Sequence, residues 1–248
     1  MSSATATSSS PSGRAPASGL QDQIDAMQAT RLGGLLPTLP ALAGLFPGGG
    51  LRHGCVYTVP NSTTLVMALL AAPSRDGAWC GVVGLPDFGI EAAAGLGIAL
   101  DRLVQVPRPG DRWLAVTAAL VDALPVVAVR PPSPARSADA ARLAARLRQR
   151  GGVLLVAGPW TAGEAELTIE ARHWEGLGLG PGHGSLSGMS VTVVAAAGHG
   201  GGMTRRASVV FAGGGPHPPN DAAGLPHLPA GRSGAAWDEA GFLREGTG

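Results

Sequence analysis

Short apolar, β-branched runs alternate with amphipathic stretches along the first two-thirds of the chain. CVYTV (55–59), AWCGVVGL (78–85), LDRLVQVP (100–107), PVVAVRPP (125–132) and VLLVAG (153–158) read as strands. Between them, 63–72, roughly 89–97, 111–123 and 137–150 have helical spacing. Ser62 or Thr63 is available to cap the first helix, Pro73 to Gly77 is expected to end it, and Asp87 is placed to cap the second. In the last helix Ala138, Ala141, Leu143, Ala144 and Leu147 are expected inside, and Arg142, Arg146, Arg148 and Arg150 outside. Strands apolar on both faces, alternating with helices over short connections, predict a parallel sheet covered by helices on both sides.

The pattern then changes. ELTIEARHWEGLG (166–178), GMSVTVVAAAG (188–198) and RRASVVFAGG (205–214) are strand-like runs joined by Gly-rich turns, with no helix between them. They predict an antiparallel meander that extends the sheet. The flanks read differently. Residues 1–18 have the composition of a disordered tail, and 19–30 have helical spacing with Leu20, Ile24 and Met27 on one face. A Leu/Pro/Gly lead-in runs to residue 50 and is expected to pack along the core as turns, the core is expected over 51–214, and 215–248 is Pro/Gly-rich and expected to be mostly disordered. Within that last segment AAWDEAGFL (235–243) carries Trp237, Phe242 and Leu243 on an otherwise polar background.

Composition narrows the chemistry. A 45% apolar content is enough for a buried core, although only 4% of residues are aromatic. A formal charge of +1 gives no electrostatic footprint for nucleic acid or a membrane surface. All 18 basic residues are Arg, so no step that needs a Lys ammonium can be supplied by this chain. Cys55 and Cys80 lie in strand-like runs and read as buried, reduced thiols. The N-terminus has no apolar signal region and no run of 18 apolar residues exists, so a cytoplasmic location without membrane contact is expected.

The order of elements resembles the RecA family. GLFPGGGLRHGCVYTV (44–59) is similar to that family's Gly-Gly-Leu-x-x-Gly lead-in to its first core strand. TTLVMALLAAPSRDGAWCGVVGLPD (63–87) is similar to the helix after its phosphate loop and the following strand, and LGIALDRLVQVPRPGD (96–111) to the helix end and strand after that. The resemblance covers roughly residues 40–214 and implies an α/β RecA-like core with a C-terminal antiparallel extension.

The nucleotide site does not follow the pattern. A phosphate loop needs G-x-x-x-x-G-K-[ST] between strand and helix, so that backbone amides and a Lys hold the phosphates and a hydroxyl holds Mg²⁺. Here the connection is Val59-Pro60-Asn61-Ser62-Thr63-Thr64, short, without Gly or Lys, and with a Pro in place of one donor. Thr63 or Thr64 matches the metal-binding hydroxyl by position and otherwise reads as a cap. Asp87 is the only candidate for the general base, one or two residues displaced, and a capping role competes. The strand that ends in a metal-binding Asp in the family ends here at Arg130, which either binds an anion or is simply solvated. No cofactor, no metal and no catalysis are therefore expected.

The other candidates are weaker. The loops matching the family's DNA-binding loops, 131–137 and 158–164, are short and carry Arg136 and Trp160 without a basic cluster, so DNA binding is expected to be weak or absent. The six His residues show no metal-ligand spacing, and GLGLGPGHG (176–184) lacks the strand-to-helix context of a dinucleotide site. Arg142, Arg146 and Arg150 form a stripe that is either a solvated face or a docking surface for an acidic partner. The lead-in at 33–46 and the anchor Trp237/Phe242/Leu243 are the other candidate docking elements.

Within the RecA-like group the chain resembles the ImuA family of actinobacteria and relatives. That resemblance implies a non-catalytic accessory role in the DNA-damage response and translesion synthesis, with an ImuB-type inactive Y-family polymerase and an error-prone polymerase as partners. Two alternatives stay open: a nucleotide- or single-stranded-DNA-binding module using Arg130 and backbone amides, and a regulator of RecA or of cell division.

Overall fold

The computed structural model describes residues 34–60, 62–161, 163–177, 184–198, 204–212 and 215–217. It is an α/β fold. Strands β1 (Leu35–Pro37) and β2 (Gly50–Arg52) form a small antiparallel ribbon bridged by a one-turn helix α1 (Pro40–Ala43). The core then runs β3 (Val56–Thr58), α2 (Thr63–Arg75), β4 (Cys80–Val83), α3 (Ile90–Gly95), β5 (Leu103–Val106), α4 (Trp113–Ala123), β6 (Val126–Val129), α5 (Ser137–Arg150) and β7 (Val153–Val156). Four more strands close it: β8 (Ala165–Leu177), β9 (Gly184–Ala197), β10 (Arg205–Ala212) and β11 (Gly215–His217).

All but the ribbon join one nine-stranded sheet of order β11-β10-β9-β8-β3-β7-β6-β4-β5. The half from β3 to β5 is parallel, β8 is parallel to β3, and β8 to β11 pair antiparallel. Strands β4, β6 and β7 are buried at every position, because helices cover both faces. On one face α2 contributes Leu65, Val66, Leu69 and Leu70 to the larger apolar cluster. On the other, Val121 of α4 and Leu143 and Leu147 of α5 pack on Val127, Val129, Leu154 and Val156. Each fully buried Leu or Val contributes about 1.5–3 kcal/mol, which is why this small-residue sheet suffices as a core.

Several details differ from the sequence reading. Helix α2 continues through Pro73 to Arg75, because only the last turn lacks the donor that proline removes. In α5 the inward stripe is Ala140, Leu143 and Leu147, ended by Gly151 at φ 68°, while Ala138 and Ala141 are exposed. Residues 215–217, expected outside the core, pair with the end of β10. The lead-in is not a surface element. Leu39, Leu42, Leu45, Phe46 and Leu51 are buried in the main cluster, and Phe46 meets Tyr57 edge-on at 5.6 Å. Most of this segment therefore fills the core, and among its large side chains Leu35 is well exposed. The expected helix at 19–30 lies outside the described residues.

Candidate functional site

The connections leaving β3, β4 and β6 emerge at the carboxyl edge of the parallel strands, where ligands of open α/β sheets bind. After β3 the chain stays extended, and the Val59 N–H donates to the Val156 carbonyl at 2.8 Å. Pro60 follows, and Asn61 lies outside the described residues. The Ser62 hydroxyl accepts from the Leu65 N–H at 3.1 Å and caps α2. The helix therefore starts with a side chain of this protein on one of its free amides.

Thr63, Asp87 and Arg130 come from three connections and close on one another. Arg130 Nη1 donates to Asp87 Oδ1 at 2.5 Å, and Nη2 donates to Thr63 Oγ1 at 2.9 Å. The Thr63 hydroxyl in turn donates to Asp87 Oδ2 at 3.2 Å. Each carboxylate oxygen and the hydroxyl thus has an internal partner. The hydrogen bond from Arg130 holds the Asp87 carboxyl below the usual carboxylate range, against a smaller opposing effect of burial. Asp87 is not a helix cap: α3 begins after Gly89, with no side-chain cap. Arg130 is not a free strand-end cation either, because its guanidinium is tied to Asp87 and Thr63.

The backbone enforces this closure. Gly84, just past β4, has φ 71°, and a Cβ there would collide with the Arg130 carbonyl oxygen. The Arg130 N–H donates to the Val83 carbonyl at 2.9 Å, which fixes the ends of β4 and β6 side by side. Asp87 and Arg130 are thereby brought within reach of each other and of the first turn of α2.

The remaining sequence candidates fall elsewhere. The Arg stripe is largely paired: Arg146 and Arg150 both reach Asp122 of α4, at 2.9 and 3.4 Å, and Arg142 lies 3.5 Å from Asp139. Arg146 and Arg150 thus link α5 to α4, while Arg142 stays within α5 and is 82% exposed. Trp160 packs against the second apolar cluster, which makes it a loop anchor, and its indole N–H has no partner among the described residues. Cys55 is half-buried just ahead of β3 and Cys80 is buried in β4; both are free thiols. Trp237, Phe242 and Leu243 lie outside the described residues. No group of three metal-ligating side chains occurs among the described residues, and among them no helix is long and apolar enough to cross a membrane.

One surface was not anticipated. Beside the start of α2 the meander forms a groove of about 230 Å³, with Thr64 on the helix side and Arg172, Trp174, Met189 and Phe211 on the sheet side. Strict alternation along β8 places Ala171 and His173 with Leu167 and Ile169, on the covered face. A bulge between Ile169 and Ala171 shifts the register, so that Arg172 pairs with Val191 and Trp174 with Met189. The bulge swaps which side chains face α2, and nothing in the residue types of that strand marks it.

Comparisons with known proteins agree with the fold. Residues 44–162 match the model of a family described as the MT3502 N-terminal domain. An uncharacterized protein of Mycobacterium tuberculosis (strain ATCC 25618 / H37Rv), Rv3395c, is 30% identical over 175 residues, which cover 66% of this chain and 80% of that protein. Among solved structures the RadB recombinase is similar, with a TM-score of 0.52 at 14% identity, covering 72% of this chain and 96% of the recombinase. At that identity the likeness establishes a RecA-like fold and nothing finer.

Proposed function

The chain belongs to the family of Rv3395c, and from that premise we propose that it is a RecA-like accessory protein that acts by binding other proteins and not by hydrolysing nucleotide. The observation that supports the reading is the Thr63–Asp87–Arg130 cluster at the carboxyl edge of the parallel strands, where a RecA-like nucleotide site would be expected. A Mg²⁺-triphosphate needs a hydroxyl and a carboxylate free to coordinate and a Lys to neutralise charge. Here the hydroxyl and the carboxylate serve Arg130, and the sequence contains no Lys. Retention of the sheet and both helical layers without that chemistry suits an adaptor.

The resemblance to the ImuA family supports a finer reading. In it the protein takes part in translesion synthesis after DNA damage, with an ImuB-type polymerase-like protein as its partner. Affinity capture of the tagged full chain from DNA-damaged cells, read by mass spectrometry, tests this. Recovery of a Y-family polymerase-like protein and an error-prone polymerase is expected. Recovery of RecA or division proteins alone would overturn the partner assignment, and saturable binding of an ATP analogue by the purified chain would overturn the non-catalytic reading.

A further inference from the structure

The groove beside α2 has the character of a docking site and a chemistry of its own. Its floor is apolar, from Met189 and Phe211, and Trp174 is 48% exposed at its rim. Arg172 lines it, and among the described residues no carboxylate forms an ion pair with that guanidinium. At about 230 Å³ the groove is smaller than the roughly 300–1,000 Å³ of ordinary small-molecule pockets, which favours one or two side chains over a nucleotide. Its occupant should present an aromatic or branched anchor beside one or two carboxylates.

We infer that this occupant is the chain's own C-terminal segment AWDEAGFL (236–243). Trp237, Phe242 and Leu243 supply the apolar anchors, and Asp238 and Glu239 supply negative charge with no basic residue among the eight. No other stretch of the sequence after β11 combines aromatic side chains with adjacent acids. The tether starts in the right place. His217 pairs with Val210 on β10, adjacent to Phe211 of the groove, so the chain leaves the sheet within about one or two strand spacings, each roughly 4.8 Å. Trp237 lies twenty positions after His217, a span of at most about 65 Å when fully extended. Docking within one molecule therefore needs no rearrangement of the core, and a short tether favours it over docking between copies. The consequence is self-masking: the segment covers Trp174 and is itself withheld from other surfaces until something competes for the groove. This concerns the isolated chain and holds whether or not a polymerase-like partner exists.

Hydrogen exchange read by mass spectrometry on the purified full-length chain tests the inference. Amides of 236–243 are expected to exchange at least tenfold more slowly in the wild type than in Arg172→Glu. Trp237→Ala, a change outside the described core, should expose the same amides. The triple variant Arg172→Glu/Asp238→Arg/Glu239→Arg should restore protection, which a merely structural role of Arg172 would not allow. Absence of protection in the wild type would overturn the proposal, as would protection indifferent to Arg172→Glu. Protection that rises with protein concentration would assign the groove to a second copy. An unprotected segment together with saturable quenching of the chain's Trp fluorescence by a single-stranded oligonucleotide, lost in Trp174→Ala, would assign the groove to nucleic acid. Both results would overturn docking in cis.

Discussion

Arg130 reaches Asp87 at 2.5 Å although the two residues lie 43 positions apart and leave different strands of the sheet. Their pairing converts what would be two opposed free charges at the carboxyl edge into a neutral cluster. It also gives the Thr63 hydroxyl two partners. The energetic and chemical consequences of this arrangement can be measured separately.

The pair should be worth little at neutral pH. The Asp87 side chain is 55% exposed, so solvent screening limits the contribution to about 1 kcal/mol or less. Its carboxyl is held below the ordinary value of 3.8 in the folded state, chiefly by the Arg130 hydrogen bond. A depressed folded pKa means the stabilisation is fully present above the unfolded value and is lost as pH falls through the folded one. The melting temperature of Asp87→Asn should therefore trail the wild type by a constant small margin above pH 5, and the gap should close below about pH 4. An unchanged gap down to the acid transition would contradict the pairing.

Restoring an acid should not restore a nucleotide site. Arg130→Asp places a carboxylate at the end of β6, yet Ser62 still occupies the helix start and Pro60 still lacks an N–H. Without a Lys anywhere in the chain, the usual cation for the β- and γ-phosphates is missing. Titration of a fluorescent ATP analogue with Mg²⁺ should give no saturable signal for either the wild type or the variant. Tight binding by Arg130→Asp would show that the substitution at this one position is what silences the site.

Gly84→Ala tests the scaffold beneath the cluster. A left-handed backbone disfavours a side chain by roughly 1–2 kcal/mol, and the added Cβ collides with the Arg130 backbone carbonyl oxygen. Destabilisation of about 2 kcal/mol or more is expected in urea unfolding, with an unchanged slope. A neutral result would mean that the ends of β4 and β6 are not held together as described.

The two thiols should be told apart by reaction rate. Burial pushes the Cys80 thiol up to about 12, so it is protonated and shielded at pH 8. Cys55, half-buried, is also raised, first by desolvation and then by Glu164. A disulfide reagent should modify at most Cys55 in the native chain, slowly, and both residues once the chain is unfolded. Rapid native modification of Cys80 would mean that β4 is not buried at that position.

Much of the architecture was legible because its signals are local. Runs such as VVAV (126–129) and VLLV (153–156) can only be buried strands in a short-looped α/β chain, and the Arg-rich face of α5 follows directly from 3.6-residue spacing. The absence of Lys and the presence of Pro60 likewise need no structure. What the sequence hid was pairing at a distance. Asp87 looks like a cap because caps are short-range, whereas its partner comes from β6. Arg146 and Arg150 look solvated until α4 brings Asp122 beside them. Leu39, Leu42 and Leu45 sit among Gly and Pro without a clean period, so the sequence places this segment along the core but does not show which of its side chains are buried. Trp174 escaped because one extra residue in β8 inverts the alternation that face assignments rely on.

The narrow join between β3 and β8 has a consequence for how the molecule comes apart. Only Tyr57 and Thr58 pair with Ala165 and Glu166, whereas β9 meets β10 over eight positions. Pairing is thus longest within the meander and short across this line, and the shared apolar layer under α2 and the lead-in adds cohesion there. Loosening that layer opens a seam, with the meander detaching as a unit while the five-stranded parallel half keeps its own second apolar cluster. The same seam borders the groove, so the surface proposed for recognition lies along the shortest pairing between the parallel half and the meander.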